Sequence, residues 1–323
     1  MRSGPMFAAA MAAMLLVASA AVVMPLLLSD EVTVAFTDKS NYETLIIAHE
    51  TGMLEEAGVR PLLVTGGIQA AEALVTGSAD MAAMGDGPAV RLLEADSGAM
   101  VVARFIGGEG MHRFIAHADI SEPKDLEEER DGEKTRVGLQ QASSTHGAFL
   151  RWAEGNNLDT DRFEIVPMNP MDIPAAMASG DIQAMAGSEP WAIATERVMG
   201  PSAWELGNSS GQGTHFPIVL VASERIIAQN PEAVRSMVEV LDRGNRFIMQ
   251  NWSEAMGIIA ARTGVASVEE QDFCGSLQFY EVGFNRTDME SLEMAAQVML
   301  DFKRIKETPD IAARADLRFL PED

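Results

Sequence analysis

Residues 136–158 read RVGLQQASSTHGAFLRWAEGNNL, followed by FEIVPM (163–168) and PMDIPAAMASGDIQAMAGSEPW (170–191). Arg136–Leu139 is a short apolar strand, and Gln140–Ser144 is a polar loop tipping into a helix with Phe149, Trp152 and Ala153 on one face. Small hydroxyl residues at a helix start leave backbone N–H groups unpaired and turned outward, which suits an anion or a polar small molecule. The rhythm continues as a strand at Phe163–Met168, a helix at Asp172–Ser179, a strand at Gln183–Ala186, a loop at Gly187–Pro190 and a helix from Trp191. No nucleophile–base pair and no metal-ligand cluster stands out, so the stretch reads as part of a pocket that binds.

Working outward, the same rhythm fills the N-terminal third. Val32–Phe36 is a buried strand and Thr37–Asn41 a polar loop at its end. One helix is expected from Tyr42 to Glu56, with Leu45, Ile46, His49 and Met53 at helical spacing and Gly58 as its stop. Strands follow at Val59–Val64, Ala79–Met84 and Met100–Ile106, with helices at Ile68–Val75 and after a loop at Gly85–Pro88. Strands alternating with helices predict an α/β fold of mainly parallel sheets, whose ligands sit beyond the C-terminal strand ends. Those ends are Thr37–Asn41, Gly66–Gly67 and Gly85–Pro88.

Arg113–His117 is a further short strand, and the charged run Glu122–Lys134 reads as a solvated helix and loop. A faint echo links Thr76-Gly77-Ser78-Ala79-Asp80-Met81 leading to Gly85-Asp86-Gly87-Pro88 with Ser179-Gly180-Asp181-Ile182-Gln183-Ala184 leading to Gly187-Ser188-Glu189-Pro190. It suggests two lobes on one plan, each offering a similar loop to a shared space. Gly207–His215 reads as flexible and polar, Pro217–Ala222 as a strand, and the chain from Asn230 as helical. Asn230 is the expected N-cap, Pro231 the first helical residue, and Val234, Met237, Val238 and Leu241 the buried stripe. The expected division is 30–112 plus 218–323 for lobe 1 and 113–217 for lobe 2.

The 323 residues suffice for two ordinary domains, and 47% hydrophobic residues exclude a disordered chain. A formal net charge of -24 argues against nucleic acid and against docking on anionic lipid through a basic patch; an acidic solvated surface accounts for it. The single cysteine, Cys274, has no partner for an internal disulfide and sits among Phe273, Leu277 and Phe279, as a small buried thiol would. Residues 7–28 are almost continuously apolar or small, with Ala18-Ser19-Ala20 as a small-x-small cleavage site. Residues 1–29 therefore read as a cleaved export signal or an uncleaved membrane anchor, and either places the remainder outside the cytoplasm.

The order of segments resembles the extracytoplasmic solute-binding proteins of ABC importers, in the nitrate/sulfonate/taurine and thiamine-precursor group. The resemblance covers residues 32–250 and is carried by LIIAHETGMLEEAGVRPLLV (45–64), GGIQAAEALVTGSADMAAMGDGP (66–88), 136–158 and MASGDIQAMAGSEPW (177–191). It implies a two-lobed type II periplasmic-binding fold that closes by a hinge on a small ligand and delivers it to a permease and its ATPase. The partners implied are a small polar ligand and those transporter subunits, met as a monomer held at the membrane by the N-terminal segment if that is retained. No cofactor, catalytic residue, metal or nucleic acid is implied. Two departures stand out: no lipobox cysteine, and no cysteine-rich signature of the pyrimidine-binding branch.

Carried over position by position, the ligand loops fall on Thr37, Asp38 and Asn41, on Gly67, on Gly85 and Asp86, on Ser143, Ser144, Thr145 and His146, on Glu189 and Trp191, and on His215. The hydroxyls could donate to an anion beside a helix dipole, although N-capping explains them equally. His146 could donate to an oxyanion or face solvent. Asp38, Asp86 and Glu189 could pair with a ligand ammonium or simply cap loops. Trp191 could lie flat on the ligand or serve as core, while His49 and His112 read as structural or surface. An anion-friendly helix start with several carboxylates and no basic cluster favours a small zwitterion such as an aminosulfonate over nitrate. The alternative is a cytoplasmic enzyme on the same fold, a lyase of menaquinone synthesis or a pyrimidine-precursor synthase, against which the export segment argues. A ligand sensor would normally carry a further signalling domain.

Overall fold

The computed structural model describes residues 31–95, 97–263 and 265–321. The expected export segment, 1–29, lies outside the described residues. Everything below concerns the compact unit Thr33–Asp323.

The first sheet begins with β1 (Val32–Phe36), β2 (Val59–Leu63), β3 (Met81–Gly85) and β4 (Met100–Ile106). The chain then builds a second sheet from β5 (His112–His117), β6 (Arg136–Leu139), β7 (Glu164–Pro167), β8 (Ala184–Ser188) and β9 (Ala203–Asn208). It returns to the first sheet as β10 (Ile218–Ala222). The orders are β2-β1-β3-β10-β4 and β7-β6-β8-β5-β9. Each sheet is parallel apart from one reversed strand: Leu220 of β10 lies antiparallel to Ala83 and Ala103, and β5 runs antiparallel to β8 and β9. The two crossings between the sheets are joined, the Gly108 N–H donating to the His215 carbonyl at 2.7 Å.

Helices cover both faces, so central strands read as almost continuous apolar runs, as in IVLVA and, apart from Thr33, VTVAF. In β5 the period of two sends Phe114 to one core with Phe149 and Phe163, and Ile115 to another with Ile173, Met177 and Met185. The helices are α1 (Glu43–Glu50), α2 (Met53–Glu56), α3 (Gly67–Val75), α4 (Asp86–Glu94), α5 (Ser144–Gly155), α6 (Ile173–Ser179), α7 (Trp191–Met199), α8 (Glu224–Gln229), α9 (Pro231–Gln250), α10 (Trp252–Thr263), α11 (Val268–Ser276) and α12 (Arg286–Asp301). Among the described residues no helix is long and apolar enough to cross a membrane.

Four local expectations change. The single helix from Tyr42 to Glu56 is two, because Gly52 takes a left-handed φ of 79° and breaks the ladder between α1 and α2. Gly85–Pro88 is no loop: β3 ends at Gly85 and α4 starts at Asp86. Similarly, β8 continues through Ser188, which pairs with His112, leaving only Glu189 and Pro190 before α7. The charged run Glu122–Lys134 forms a short 3-10 turn at Pro123–Glu127 and a tight turn bridged by Arg130 and Glu133.

A strand absent from the sequence reading, β9, closes one edge of the second sheet. Its AWELGN has little apolar alternation, and pairing with β5 holds it in place. Gly207 belongs there because a Cβ would come within 2.4 Å of the Trp152 ring.

The C-terminal third is helical as expected. The Asn230 side chain accepts from the Ala233 N–H at 3.2 Å, Pro231 opens α9, and Val234, Met237, Val238 and Leu241 are buried. Asn230→Ala is expected to destabilise the fold by about 1 kcal/mol and Asn230→Asp to restore most of it. Urea unfolding reads this; an unchanged midpoint for the alanine variant would show that the cap contributes nothing.

Candidate functional site

Four helices begin on one cleft of about 640 Å³. Gly67 and Ile68 bring the start of α3, Asp86 and Gly87 that of α4, Ser143–Thr145 that of α5, and Pro190 and Trp191 that of α7. The N-terminal turn of each carries N–H groups without intrahelical acceptors, together with the positive end of the helix dipole. The N-cap residues of α3, α4 and α7 provide no side-chain cap; only Ser143 does, its Oγ accepting from the His146 N–H at 3.3 Å. Lys39, Arg91 and Arg304 also line the cleft, as do the apolar Ile68, Met171 and Phe216.

Thr37, Asn41, Gly67, Gly85, Asp86, Ser143, Ser144, Thr145, Glu189 and Trp191 all line this cleft. Asp38, His146 and His215 do not. Asp38 is half-exposed beside Arg262 at 3.7 Å. The Nδ1 of His146 accepts from the Ala142 N–H at 3.1 Å, its ring packs 4.5 Å from that of Phe302, and burial pushes its pKa down to about 4. His215 pairs through Nδ1 with Asp288 at 2.8 Å, and Asp288 in turn accepts from Arg104 Nε at 3.3 Å, all behind the cleft.

The cleft acids are already engaged. Glu189 Oε1 accepts from Arg113 Nη1 at 2.8 Å and its Oε2 from the Ile193 N–H at 3.0 Å. Burial raises the Glu189 carboxyl pKa and the Arg113 charge opposes the rise. Asp86 Oδ1 accepts from the Gly87 N–H at 2.7 Å and from the Ser144 hydroxyl across the cleft, tying the start of α4 to the start of α5. Burial raises its pKa too, against the pull of Ser144, Gly87 and the more distant Arg151.

Two lining groups stand out for lacking partners. Thr37 Oγ1 and His112 Nε2 are buried with none. His112 is 5% exposed, its Nδ1 lies 2.9 Å from Thr145 Oγ1, and burial, aided by the Arg151 charge, pushes its pKa down to about 3. From sequence alone His112 is expected to be structural or at the surface. Its partner is 33 residues away, so no local spacing could reveal it. Lys39 falls within the expected ligand loop Thr37–Asn41, whereas nothing in the neighbourhoods of Tyr42, Arg91 and Arg304 marks them as facing a cleft. Among the described residues no cluster of His, Cys, Asp or Glu could hold a metal.

Residues 28–261 match the model of the NMT1-like family. The chain belongs to the NMT1-like family. A protein of Brucella abortus (strain 2308), named as a candidate binding protein, is 31% identical over 221 residues, covering 66% of this NMT1-like chain. The match spans 65% of that relative's length, just under two thirds. The periplasmic aliphatic sulphonate binding protein SsuA of Escherichia coli has a similar structure, with a TM-score of 0.78 at 16% identity, over 90% of this chain and 94% of that one. The desulfurization enzyme DSZB aligns with a TM-score of 0.67 at 18% identity, over 89% and 96%. The NMT1-like chain thus has the two-lobed periplasmic-binding fold, a fold that also carries an enzyme. What the cleft does is decided by its residues.

Proposed function

We propose that this chain is the extracytoplasmic solute-binding component of an ABC importer, and that it captures a small organic anion with a sulfonate-like headgroup. The carrying observation is the meeting of four helix starts on one cleft whose acids are already paired. N–H groups and dipole ends favour an oxyanion without any side-chain charge being required. Ile68, Met171 and Trp191 give the organic portion an apolar wall. A cleft of about 640 Å³ has the size of an organic-ligand site and far exceeds nitrate. The sulphonate-binding role of the E. coli neighbour supports the same ligand class.

The preference for a zwitterion is thereby revised. It counts Glu189, Asp86 and Asp38 as available acids, whereas Arg113 and Arg262 stand beside Glu189 and Asp38, and Ser144 and the Gly87 N–H hold Asp86. Binding without chemical change is the favoured reading. His112 is the one imidazole among the lining residues, and the hydroxyl beside it, Thr145, is buried.

Isothermal titration against ethanesulfonate, taurine and nitrate tests the proposal. Ethanesulfonate is expected to bind at least about tenfold tighter than nitrate, with taurine weaker than ethanesulfonate because its ammonium must compete with Arg113 for Glu189 and with Ser144 and the Gly87 N–H for Asp86. Tight binding of nitrate alone would refute the organic-anion assignment. Fractionation of producing cells tests the location, and a cytoplasmic, uncleaved chain would favour the enzyme reading.

A further inference from the structure

We infer that His112 is a specificity-determining residue of the cleft, donating from a neutral Nε2–H to an oxygen of the bound anion, with Thr145 as the positioning residue that fixes its tautomer. The inference rests on the anion-binding reading of the cleft and goes beyond it by naming a side-chain donor.

His112 is placed with unusual care. Its backbone N–H donates to Ser209 Oγ at 3.2 Å, and its residue pairs with Ser188 of β8. Its ring meets Phe216 edge to face, with centroids 4.3 Å apart and planes at 84°. Thr145, in the first turn of α5, holds Nδ1. The Thr145 hydroxyl has one recorded partner, the ring nitrogen. If Nδ1 carried the proton, the hydroxyl hydrogen would be buried with no acceptor. If the hydroxyl donates to Nδ1, the proton sits on Nε2 and both Thr145 and Nδ1 are satisfied. That leaves one open group, the Nε2–H.

A buried donor without a partner is costly, and native proteins leave few of them. His112 Nε2 is such an atom, in a residue that lines a cleft where four helix starts already favour negative charge. A ligand oxygen supplies the missing acceptor. Thr37 Oγ1, likewise buried and unpartnered on the wall, comes from the end of β1 in the other sheet. Burial beside Arg151 keeps the imidazole uncharged, so it contributes a directional bond rather than net charge. Direction distinguishes oxyanion shapes, which a diffuse helix dipole does less well.

The test uses the full chain, with ethanesulfonate as probe. Titration of His112→Phe and His112→Gln should show binding weakened about ten- to a hundredfold in the phenylalanine variant, with the glutamine variant recovering part through its amide N–H. Nitrogen-15 spectra of the imidazoles, with His112 assigned by its absence from a variant, should show the Nε2–H tautomer. Its resonance should move when ethanesulfonate is added, and Thr145→Val should shift the tautomer balance. If wild type binds and both His112 variants bind within about twofold of it, or the His112 resonances ignore the ligand, the inference falls and the anion cleft stands. If wild type does not bind ethanesulfonate, the anion reading fails and takes the inference with it.

Discussion

Replacing Arg113 with methionine is expected to lower the unfolding free energy by about 3–5 kcal/mol at neutral pH. The Arg113 side chain is 4% exposed and holds three carboxylates, Glu189 at 2.8 Å, Glu196 at 2.6 Å and Glu205 at 2.5 Å. Glu196 and Glu205 are about a third exposed and can turn to water. Glu189, 6% exposed, cannot, so its charge is left buried without a counter-ion. The pH dependence follows. Burial already raises the folded-state pKa of Glu189 above its ordinary 4.5, and losing Arg113 raises it further. A folded pKa above the unfolded one means that stability is recovered as pH falls through the folded value towards 4.5 and is lost above it. Urea unfolding at pH about 7 and about 5 should therefore show the methionine variant's deficit narrowing at the lower pH. An equal deficit at both would assign the loss to packing instead.

Ser144→Asp should have the largest effect on binding. The Ser144 hydroxyl bonds Asp86 across the cleft, and an aspartate there sets two carboxylates against each other at hydrogen-bonding range. Asp86 is 5% exposed, so neither charge is well screened when the lobes meet. An aspartate at the first position of α5 favours the helix itself, so the fold should survive while closure and anion capture do not. Ethanesulfonate affinity should drop more than about a hundredfold, and small-angle scattering should show a larger radius of gyration. Ser144→Ala, which removes only the bond, should cost about tenfold or less. Wild-type affinity in the aspartate variant would show that Asp86–Ser144 plays no part in the bound state.

The strands legible in the sequence are those whose burial is written locally: IVLVA is apolar without a break, and VTVAF and MVVARFI are apolar except for Thr33 and Arg104, because helices cover their faces. The start of α5 was legible because a hydroxyl N-cap precedes an apolar periodic run. Gly85-Asp86-Gly87-Pro88 was misread because its composition is turn chemistry; Pro88 in the first turn of α4 has no helical N–H to lose, so the same residues suit a helix start. The charge state of the cleft was illegible for a different reason. Glu189 finds Arg113 across 76 residues, and counting acids near the loops cannot show which of them are neutralised. That long-range pair turns an expected ammonium partner into a structural ion pair, and moves the proposed ligand from zwitterion to anion.

The most direct measurement is a crystal structure of the protein with 2-bromoethanesulfonate, with bromine located by its anomalous signal. The sulfonate oxygens are expected within hydrogen-bond range of N–H groups at the starts of α3 and α5, and the bromine towards Ile68 and Met171. A sulfonate bound elsewhere, or a ligand reversed with bromine at the helix starts, would contradict it.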